Sequence, residues 1–279
     1  MKHLLLILAL MVALSCPAQN YSGKIISKST TQMVKSPAGN IYTILELPAK
    51  IDTNKKYPVV IICHGLTAYC NRPLLTALAD SLALHDVVTI RFDFCGHGSS
   101  YGTITNMTIP KEVNDLKFIY EFACHLPFAD TKRISVVGHS QGGTVAALFA
   151  GEMGTEKVAK MALIAPGGAI EEMAQKGEFL KAKFDPNNIP DKVIVLNQPL
   201  GRSYFETAKT IDVYGHAARY GGPVCIVHGT GDKTVPVTYG MRFKDACPTA
   251  ELHLLDGDNH NLTHHTAEAL HLLTAFLTK

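Results

Sequence analysis

Seven runs of apolar, largely β-branched residues are spaced along the chain, and amphipathic segments separate most of them. Continuous apolar runs predict strands that are buried on both faces, and the amphipathic segments predict helices. Strands that alternate with helices indicate a mostly parallel sheet with helices on both faces, so the predicted fold class is α/β. The predicted strands are 41–47, 57–65, 86–94, 133–140, 160–166, 222–229 and 250–257. The predicted helices are 73–84, 110–125 and 145–152.

One segment, 167–220, interrupts this alternation. It contains the turn-forming sequences DPNN (185–188) and PLG (199–201), and it lacks a matching strand–helix repeat. Long insertions at one point of an α/β sheet usually form lids or parts of a substrate site. We therefore predict a lid at about 167–220 within a single catalytic domain, 19–279.

The N-terminal sequence 1–18 has the pattern of a secretory signal peptide. Lys2 precedes an apolar stretch at 4–14, and small residues follow it. Such a stretch is too short to cross a bilayer. We predict cleavage after Ala18 and export to the periplasm or the medium, and a lipoprotein anchor at Cys16 is the alternative.

Composition narrows the classes of partner. Apolar residues make up 47% of the chain, which is ample for a large core, and the formal net charge is only +2. The chain has no run of five or six like charges, so we expect neither a nucleic-acid partner nor a polybasic membrane patch. We expect no stable membrane insertion, since the N-terminal apolar stretch is too short to cross a bilayer. The oligomeric state stays open. Of the seven cysteines, those beyond Cys16 permit disulfides in an exported chain, but no pairing can be deduced.

The sequence GHSQG at 138–142 carries the strongest chemical signal. It follows a β-branched strand and leads into a helix of small residues, which is the context that a G-x-S-x-G nucleophile turn requires. The strained turn that exposes Ser140 leaves no room for a Cβ atom at Gly138, Gly142 or Gly143. Ser140 is therefore the predicted nucleophile.

A serine hydroxyl needs a base, and the base needs an acid that orients it. Asp232 follows the end of one predicted strand, and His260 follows the next. The carboxyl ends of parallel strands meet at one edge of the sheet, which also presents Ser140. Asp256 and Asp258 are closer to His260 in sequence, but they share its loop and are expected to shape the turn. Asp232 is the predicted acid and His260 the predicted base.

Two backbone N–H groups are needed to stabilise the oxyanion. Gln141, which follows the nucleophile, is expected to supply one, and Leu66, after the strand at 57–65, the other. We expect His64 to hold this loop and His97, in a glycine-flanked loop at 91–100, to be structural.

Four histidines lie close together near the C-terminus. His260 and His264 have the spacing of two zinc ligands on one helical turn, but the glutamate of a zinc-protease helix is missing between them. We predict that His264, Glu268 and His271 share a solvated helix face, and that the chain uses neither a metal nor a cofactor. His265 has no predicted role.

Several segments together resemble one family. They are HGLTAYCNR, RFDFCGHGSSYGTITNMTIPKEVNDL, GHSQGGTVAALFAG, LIAPGGA, CIVHGTGDKTVP and LLDGDNH. Over roughly residues 40–279 the chain is similar to the bacterial cinnamoyl (feruloyl) esterases of the α/β-hydrolase superfamily. Leu66 departs from the pattern, because these esterases typically have an aromatic residue there.

The resemblance implies an α/β-hydrolase fold and a secreted serine esterase that cleaves hydroxycinnamate esters of plant cell-wall sugars through an acyl-enzyme. It also implies that the lid closes over the phenolic ring, for which segment 167–220 offers Phe179, Phe184, Tyr204, Phe205, Tyr214 and Tyr220. The candidate substrate contacts are His64, His97, Tyr204 and Phe205.

Other activities remain open, because a fold does not choose its substrate. The same scaffold serves acylglycerol lipases, thioesterases and serine aminopeptidase-like hydrolases. A binding protein without activity is the alternative outside enzymes, but such a protein would most easily have lost Ser140, Asp232 or His260. The expected partner is a small-molecule ester.

Overall fold

A computed structural model of the chain describes residues 27–52 and 54–279. The predicted signal peptide, 1–18, lies outside the described residues. The strands are β1 (Ser27–Ser36), β2 (Gly39–Pro48), β3 (Tyr57–Cys63), β4 (Val88–Phe92), β5 (Ala129–His139), β6 (Met161–Ile164), β7 (Glu178–Phe179), β8 (Ala182–Lys183), β9 (Lys192–Val195), β10 (Gln198–Gly201), β11 (Val224–Gly229) and β12 (Ala250–Leu255). The α-helices are α1 (Pro73–Ala83), α2 (Ile109–Cys124), α3 (Gln141–Met153), α4 (Ile170–Lys176), α5 (Arg202–Ala208), α6 (Val213–Arg219), α7 (Val237–Ala246) and α8 (Thr266–Thr278).

The central sheet has eight strands in the order β1-β2-β4-β3-β5-β6-β11-β12. From β4 to β12 neighbouring strands are parallel, whereas β2 pairs antiparallel with both β1 and β4. The predicted mostly parallel sheet is confirmed. β1 was not predicted, because its sequence SKSTTQMVKS has few apolar residues and it forms an edge of the sheet, where most of its residues are exposed or half-buried.

Helices cover both faces of the sheet. Alternate residues of β3 enter two separate cores, with Val59 and Ile61 on one side and Val60 and Ile62 on the other. Helices α1 and α8 pack on the second side, and α2, α3 and α7 on the first. A strand buried on both faces has a continuous apolar sequence, which is the pattern that predicted it.

The observed helix boundaries lie close to the predicted ones, with two differences. Pro73 begins α1, and the Thr108 side chain accepts a hydrogen bond from the Lys111 N–H at the start of α2. Helix α3 begins at Gln141 rather than at 145, because close packing overrides the low helix propensity of the glycines in its first turn. Helix α8 begins at Thr266, so the prediction that His264 shares its face was wrong.

Segment 167–220, the predicted lid, lies between β6 and β11. It contains α4, two hairpins (β7–β8 and β9–β10) that stay outside the central sheet, and then α5 and α6. Aromatic rings fill its interior, where Phe205 packs 5.5 Å from Phe179 and 4.6 Å from Phe184, measured between ring centroids. This interior is continuous with the core that contains α2 and α3.

Within residues 27–52 and 54–279, no helix is long and apolar enough to cross a membrane. The cysteines in this part of the chain are free thiols.

Candidate active site

The turn between β5 and α3 presents Ser140 at the carboxyl edge of the sheet. Ser140 has a φ of 57° and a ψ of −123°, a strained conformation for a residue with a side chain. A Cβ atom on Gly138 would lie 2.1 Å from the Gly142 carbonyl oxygen, and one on Gly142 would lie 2.4 Å from the His64 carbonyl oxygen. Only glycine fits at these two positions, as the sequence argument required.

The structure brings Ser140, His260 and Asp232 together. The Nε2 atom of His260 lies 2.9 Å from the Ser140 Oγ atom, and its Nδ1 atom lies 2.6 Å from the Asp232 Oδ2 atom. A proton on Nδ1 is donated to the carboxylate, which leaves Nε2 free to accept the serine proton. This is the arrangement of a nucleophile, its general base and an orienting acid.

Asp232 is held by further donors. Its Oδ1 atom accepts hydrogen bonds from the N–H groups of Thr234 (2.8 Å) and Val235 (2.9 Å), and its Oδ2 atom also lies 3.2 Å from the His228 Nε2 atom. Burial raises the pKa of Asp232, but the hydrogen bonds from His228 and His260 outweigh burial and bring the pKa well below its usual range. The carboxylate is therefore ionised where the base needs it.

The other acids near His260 have structural tasks. Asp258 accepts hydrogen bonds from three backbone N–H groups of its own loop, those of Asn259, His264 and His265. Asp256 accepts one from the Thr230 hydroxyl. Both therefore shape the turn. His264 and His271 are exposed, and within the described residues no group of three His, Cys, Asp or Glu residues could hold a metal ion.

The backbone N–H groups of Leu66 and Gln141 belong to residues that line the cavity next to the nucleophile. A Cβ atom on Gly65 would lie 3.5 Å from the Ser140 Oγ atom, so the backbone that leads to Leu66 runs directly against the nucleophile. Gln141 is the first residue of α3, where helix N–H groups have no partner within the helix. Within the described residues, neither the Leu66 nor the Gln141 N–H donates a hydrogen bond. Both are therefore available to an oxyanion.

The loop between β3 and α1, which carries Leu66, is fixed to the sheet by Arg91. The Arg91 Nη1 atom donates to the Cys70 carbonyl oxygen (2.8 Å) and to the Asn71 Oδ1 atom (2.7 Å). Its Nη2 atom pairs with Glu46 on β2 at 2.6 Å, and both charged side chains are buried. A buried guanidinium held by several hydrogen bonds gives the loop one geometry.

His64 and His97 do not line the cavity next to Ser140, so the structure does not place them as substrate contacts. The His64 Nδ1–H donates to the Gly65 carbonyl oxygen (2.8 Å), and its Nε2 atom accepts from the Phe94 N–H (3.0 Å). Burial lowers the pKa of His64 to about 4, so the ring is neutral and joins two loops. His97 is buried behind it, with ring centroids 5.0 Å apart, and burial lowers its pKa to about 3.

A cavity of about 280 Å³ opens above Ser140. One wall is apolar and is formed by Leu66, Ile170, Met173, Phe179, Leu180 and Leu196. The remaining lining is mainly polar and includes Thr67, Arg72, His139, Thr234, His260 and Asn261. Most of the apolar wall comes from segment 167–220.

The expectation that Tyr204 and Phe205 contact substrate was wrong. Both side chains are fully buried and neither lines the cavity. Helix α5 turns them inward, where the Tyr204 hydroxyl donates to the Gln141 Oε1 atom (2.7 Å) and Phe205 packs on Phe179. Of the aromatic candidates in segment 167–220, Phe179 lines the cavity.

Sequence reasoning missed Glu112 and the role of the Gln141 side chain. The Gln141 Nε2 atom donates to the Glu112 Oε2 atom at 2.7 Å, so Gln141 links Tyr204 of α5 to Glu112 of α2. Burial raises the pKa of Glu112 well above its usual range, although the hydrogen bond from Gln141 opposes this. The contact joins residues that are far apart in sequence, and no spacing signal predicts it.

His139 was also missed. Its Nε2–H donates to the His260 carbonyl oxygen at 2.9 Å, and the two rings lie 4.9 Å apart. Burial lowers the pKa of His139 to about 4, so the ring is neutral and supports the loop that carries the base.

Comparison with known proteins is consistent with this geometry. The family model described as "Serine aminopeptidase, S33" matches residues 54–208, more than half of the chain. The chain belongs to this family of α/β-hydrolases. Residues 54–208 include the predicted nucleophile and both predicted oxyanion amides, whereas Asp232 and His260 lie beyond them.

This α/β-hydrolase is similar to Est1E from Butyrivibrio proteoclasticus. The Est1E structure with ferulic acid bound has a TM-score of 0.84 and 30% sequence identity, covering 88% of this chain and 97% of that one. A second Est1E structure has a TM-score of 0.81 and 28% identity. The α/β-hydrolase domain-containing protein 10 from mouse, at 19% identity and a TM-score of 0.67, shares the fold. The predicted resemblance to α/β-hydrolases of the feruloyl esterase type is confirmed.

One curated relative matches this chain over a shorter segment than the Est1E structures do. The 31.7 kDa protein of the traX–finO intergenic region of Escherichia coli is 31% identical over 90 residues. This match spans 32% of the α/β-hydrolase and 31% of the relative, less than a third of either chain.

Proposed function

We propose that the protein is a serine esterase that hydrolyses carboxylic esters through an acyl-enzyme. The observation that carries this proposal is the hydrogen-bonded series from Ser140 through His260 to Asp232, placed beside two backbone N–H groups without partners. A hydrolase of this family with that arrangement has the parts that acyl transfer needs.

The mechanism follows from the distances. His260 Nε2 removes the Ser140 proton as Oγ attacks the ester carbonyl, and the imidazolium is stabilised by Asp232. The N–H groups of Leu66 and Gln141 bind the oxyanion. His260 then gives the proton to the leaving alcohol, and water repeats the cycle on the acyl-enzyme.

The proposed substrates are hydroxycinnamate esters of plant cell-wall sugars. Two observations support an aromatic acyl group: the similarity to Est1E, which has been seen with ferulic acid bound, and the apolar wall of the cavity, to which Phe179 contributes. In this proposal segment 167–220 acts as a lid that covers the acyl group.

The family description raises a second candidate, a serine aminopeptidase. An aminopeptidase must bind the ammonium group of its substrate, and a buried or partly buried ammonium needs a carboxylate partner. Among the described residues that line the cavity there is no Asp or Glu, and the cavity contains an arginine, Arg72. This charge distribution favours an ester over a peptide with a free amino terminus.

A labelling and turnover experiment tests the proposal. We expect a fluorophosphonate probe to label the wild-type protein at Ser140, and Ser140→Ala to lower turnover of methyl ferulate by at least on the order of 10⁴-fold. The same protein is assayed on a monoacylglycerol and on an aminoacyl anilide. Faster cleavage of the anilide than of methyl ferulate would assign the aminopeptidase activity instead, and equal labelling of Ser140→Ala would remove Ser140 as the nucleophile.

We also propose that the enzyme is exported. The support is the signal-peptide pattern of residues 1–18. Mass spectrometry of the protein recovered from the periplasm or medium is expected to find Gln19 at the N-terminus. An intact N-terminus on protein that stays in the cytoplasm would contradict export.

A further inference from the structure

The described lining of the cavity above Ser140 carries one permanent charge. Among the lining residues in 27–52 and 54–279, Arg72 is the only Lys, Arg, Asp or Glu. Arg72 ends the loop between β3 and α1, just before Pro73 begins the helix, and its side chain is half-buried.

Arg72 has no carboxylate partner in the described part of the chain. Four other arginines each pair with a carboxylate: Arg91 with Glu46, Arg133 with Asp130, Arg202 with Asp191, and Arg242 with Glu172. The centre of the Arg72 guanidinium lies 6.0 Å from the centroid of the Tyr69 ring, which is the limit for a cation–π contact. The donors of this guanidinium are therefore available to a ligand in the cavity.

The position of Arg72 indicates which part of an ester it can contact, the acyl group or the alcohol. Arg72, His139 and His260 all line the cavity, and the His139 ring packs 4.9 Å from the His260 ring. His260 is the group that returns a proton to the leaving alcohol, so the alcohol departs on this side. The apolar wall from segment 167–220 suits the acyl group.

We propose that Arg72 binds a carboxylate on the leaving alcohol, so that the preferred substrates are esters of hydroxy acids or acidic sugars. A guanidinium presents paired donors that match a carboxylate, and such charge-assisted hydrogen bonds are strong in a partly buried site. This inference rests on the proposed esterase function, and it specifies the alcohol part of the ester substrate.

The test compares two esters of one acid that differ only in charge. The carboxymethyl ester carries a carboxylate on the alcohol, and the carbamoylmethyl ester carries a neutral amide of similar size. We expect the wild-type protein to prefer the carboxymethyl ester by kcat/KM, and Arg72→Gln to lower that preference about tenfold. Arg72→Lys should keep part of it, since the charge remains.

Arg133→Gln is the matched control. It removes the same charge in the amino-terminal half of β5, whereas Ser140 follows the carboxyl end of that strand, and it should keep the wild-type preference. Added salt should weaken the preference of the wild-type protein, since Arg72 is only half-buried.

The outcomes separate the two proposals. A wild-type protein that cleaves both esters equally, or an Arg72→Gln variant with unchanged preference, overturns the role of Arg72 and leaves the esterase function standing. A wild-type protein that cleaves neither ester, nor methyl ferulate, overturns both. A preference for a negative charge on the acyl part, measured with monomethyl succinate against methyl butyrate, would show that Arg72 binds a carboxylate of the acyl group and not one of the alcohol.

Discussion

At the scale of the residue, Asp232 controls which nitrogen of His260 carries the proton. We expect Asp232→Asn to lower kcat on methyl ferulate by on the order of 10³-fold to 10⁴-fold, because an amide donor opposite Nδ1 favours the wrong tautomer. The Asn Oδ1 atom can still accept from the N–H groups of Thr234 and Val235. The unfolding temperature should therefore change little by circular dichroism, and a large fall would show that the lost activity reflects loss of the fold.

Asp115 makes stability depend on pH. Burial raises the pKa of Asp115 to about 6 from its usual 3.8, although the hydrogen bond from the Cys95 N–H opposes this. The folded chain then binds this proton more tightly than the unfolded chain does. The free energy of unfolding contributed by Asp115 is thus complete below about pH 4 and is lost as the pH rises through about 6.

Asp115→Asn removes this titration and keeps an acceptor for the Cys95 N–H. Between about pH 4 and about pH 7, we expect the wild-type protein to lose about 2.5 kcal/mol of unfolding free energy relative to Asp115→Asn. Urea denaturation at several pH values measures the difference. Asp86 is exposed and supplies a control, since the unfolding free energy of Asp86→Asn should depend on pH as that of the wild-type protein does. If the unfolding free energy of Asp115→Asn has this same pH dependence, Asp115 is not the group responsible.

Some residues of the candidate site can be predicted from the sequence and others cannot. Ser140, Asp232 and His260 each follow the end of a strand, so the strand pattern alone places them at one edge. His228 and Glu112 become important through contacts that only the folded chain makes. Tyr204 was misplaced because the sequence shows that an aromatic residue is in segment 167–220 but does not show which way its helix turns it.

At the scale of the element, α5 is connected to the oxyanion site through one hydrogen bond. Tyr204→Phe removes the donor to the Gln141 Oε1 atom and leaves that buried oxygen without a partner. We expect kcat to fall about threefold to tenfold with little change in KM, because the Gln141 N–H binds the transition state. Steady-state kinetics on methyl ferulate gives this split.

Tyr101→Phe is the control for that variant, because the Tyr101 side chain is 65% exposed and lies away from the cavity. It should match the wild-type protein in both kinetic constants. A Tyr204→Phe variant that loses stability but keeps its kcat would show that Tyr204 only packs the core and does not position Gln141.

The elements themselves were predicted where burial imposes a pattern. β3, β4, β6, β11 and the carboxyl half of β5 are buried on both faces, so their sequences are continuous apolar runs. β12 lies at an edge of the sheet and is mostly exposed or half-buried, but its leucines were enough to predict a strand. In the hairpins β7–β8 and β9–β10, each strand pairs only with its own hairpin partner. These strands have two to four residues, too few to show an alternation of apolar and polar positions. The first turn of α3 was missed because its two glycines are poor helix formers. The close approach of His64 requires Gly142, and that of Pro166 requires Gly143.

At the scale of the whole molecule, the fold is maintained without a covalent cross-link in residues 27–52 and 54–279. Burial raises the pKa of the Cys95 thiol to about 12 and that of Cys247 to about 11, so neither thiol is ionised at neutral pH. We expect the same unfolding temperature with and without a reducing agent, and slow reaction of the folded protein with a thiol reagent. A fall of several degrees on reduction would reveal a disulfide.

The anchoring of the β3–α1 loop by Arg91 affects how this enzyme can evolve. Arg91 holds the loop through the Cys70 carbonyl and the Asn71 side chain, and the side chain at position 72 takes no part in that attachment. Residue 72 therefore projects into the cavity from a support that does not depend on its identity. A gene duplicate can acquire a new preference for the alcohol by substitution at this one position, at little cost to the fold that its descendants inherit.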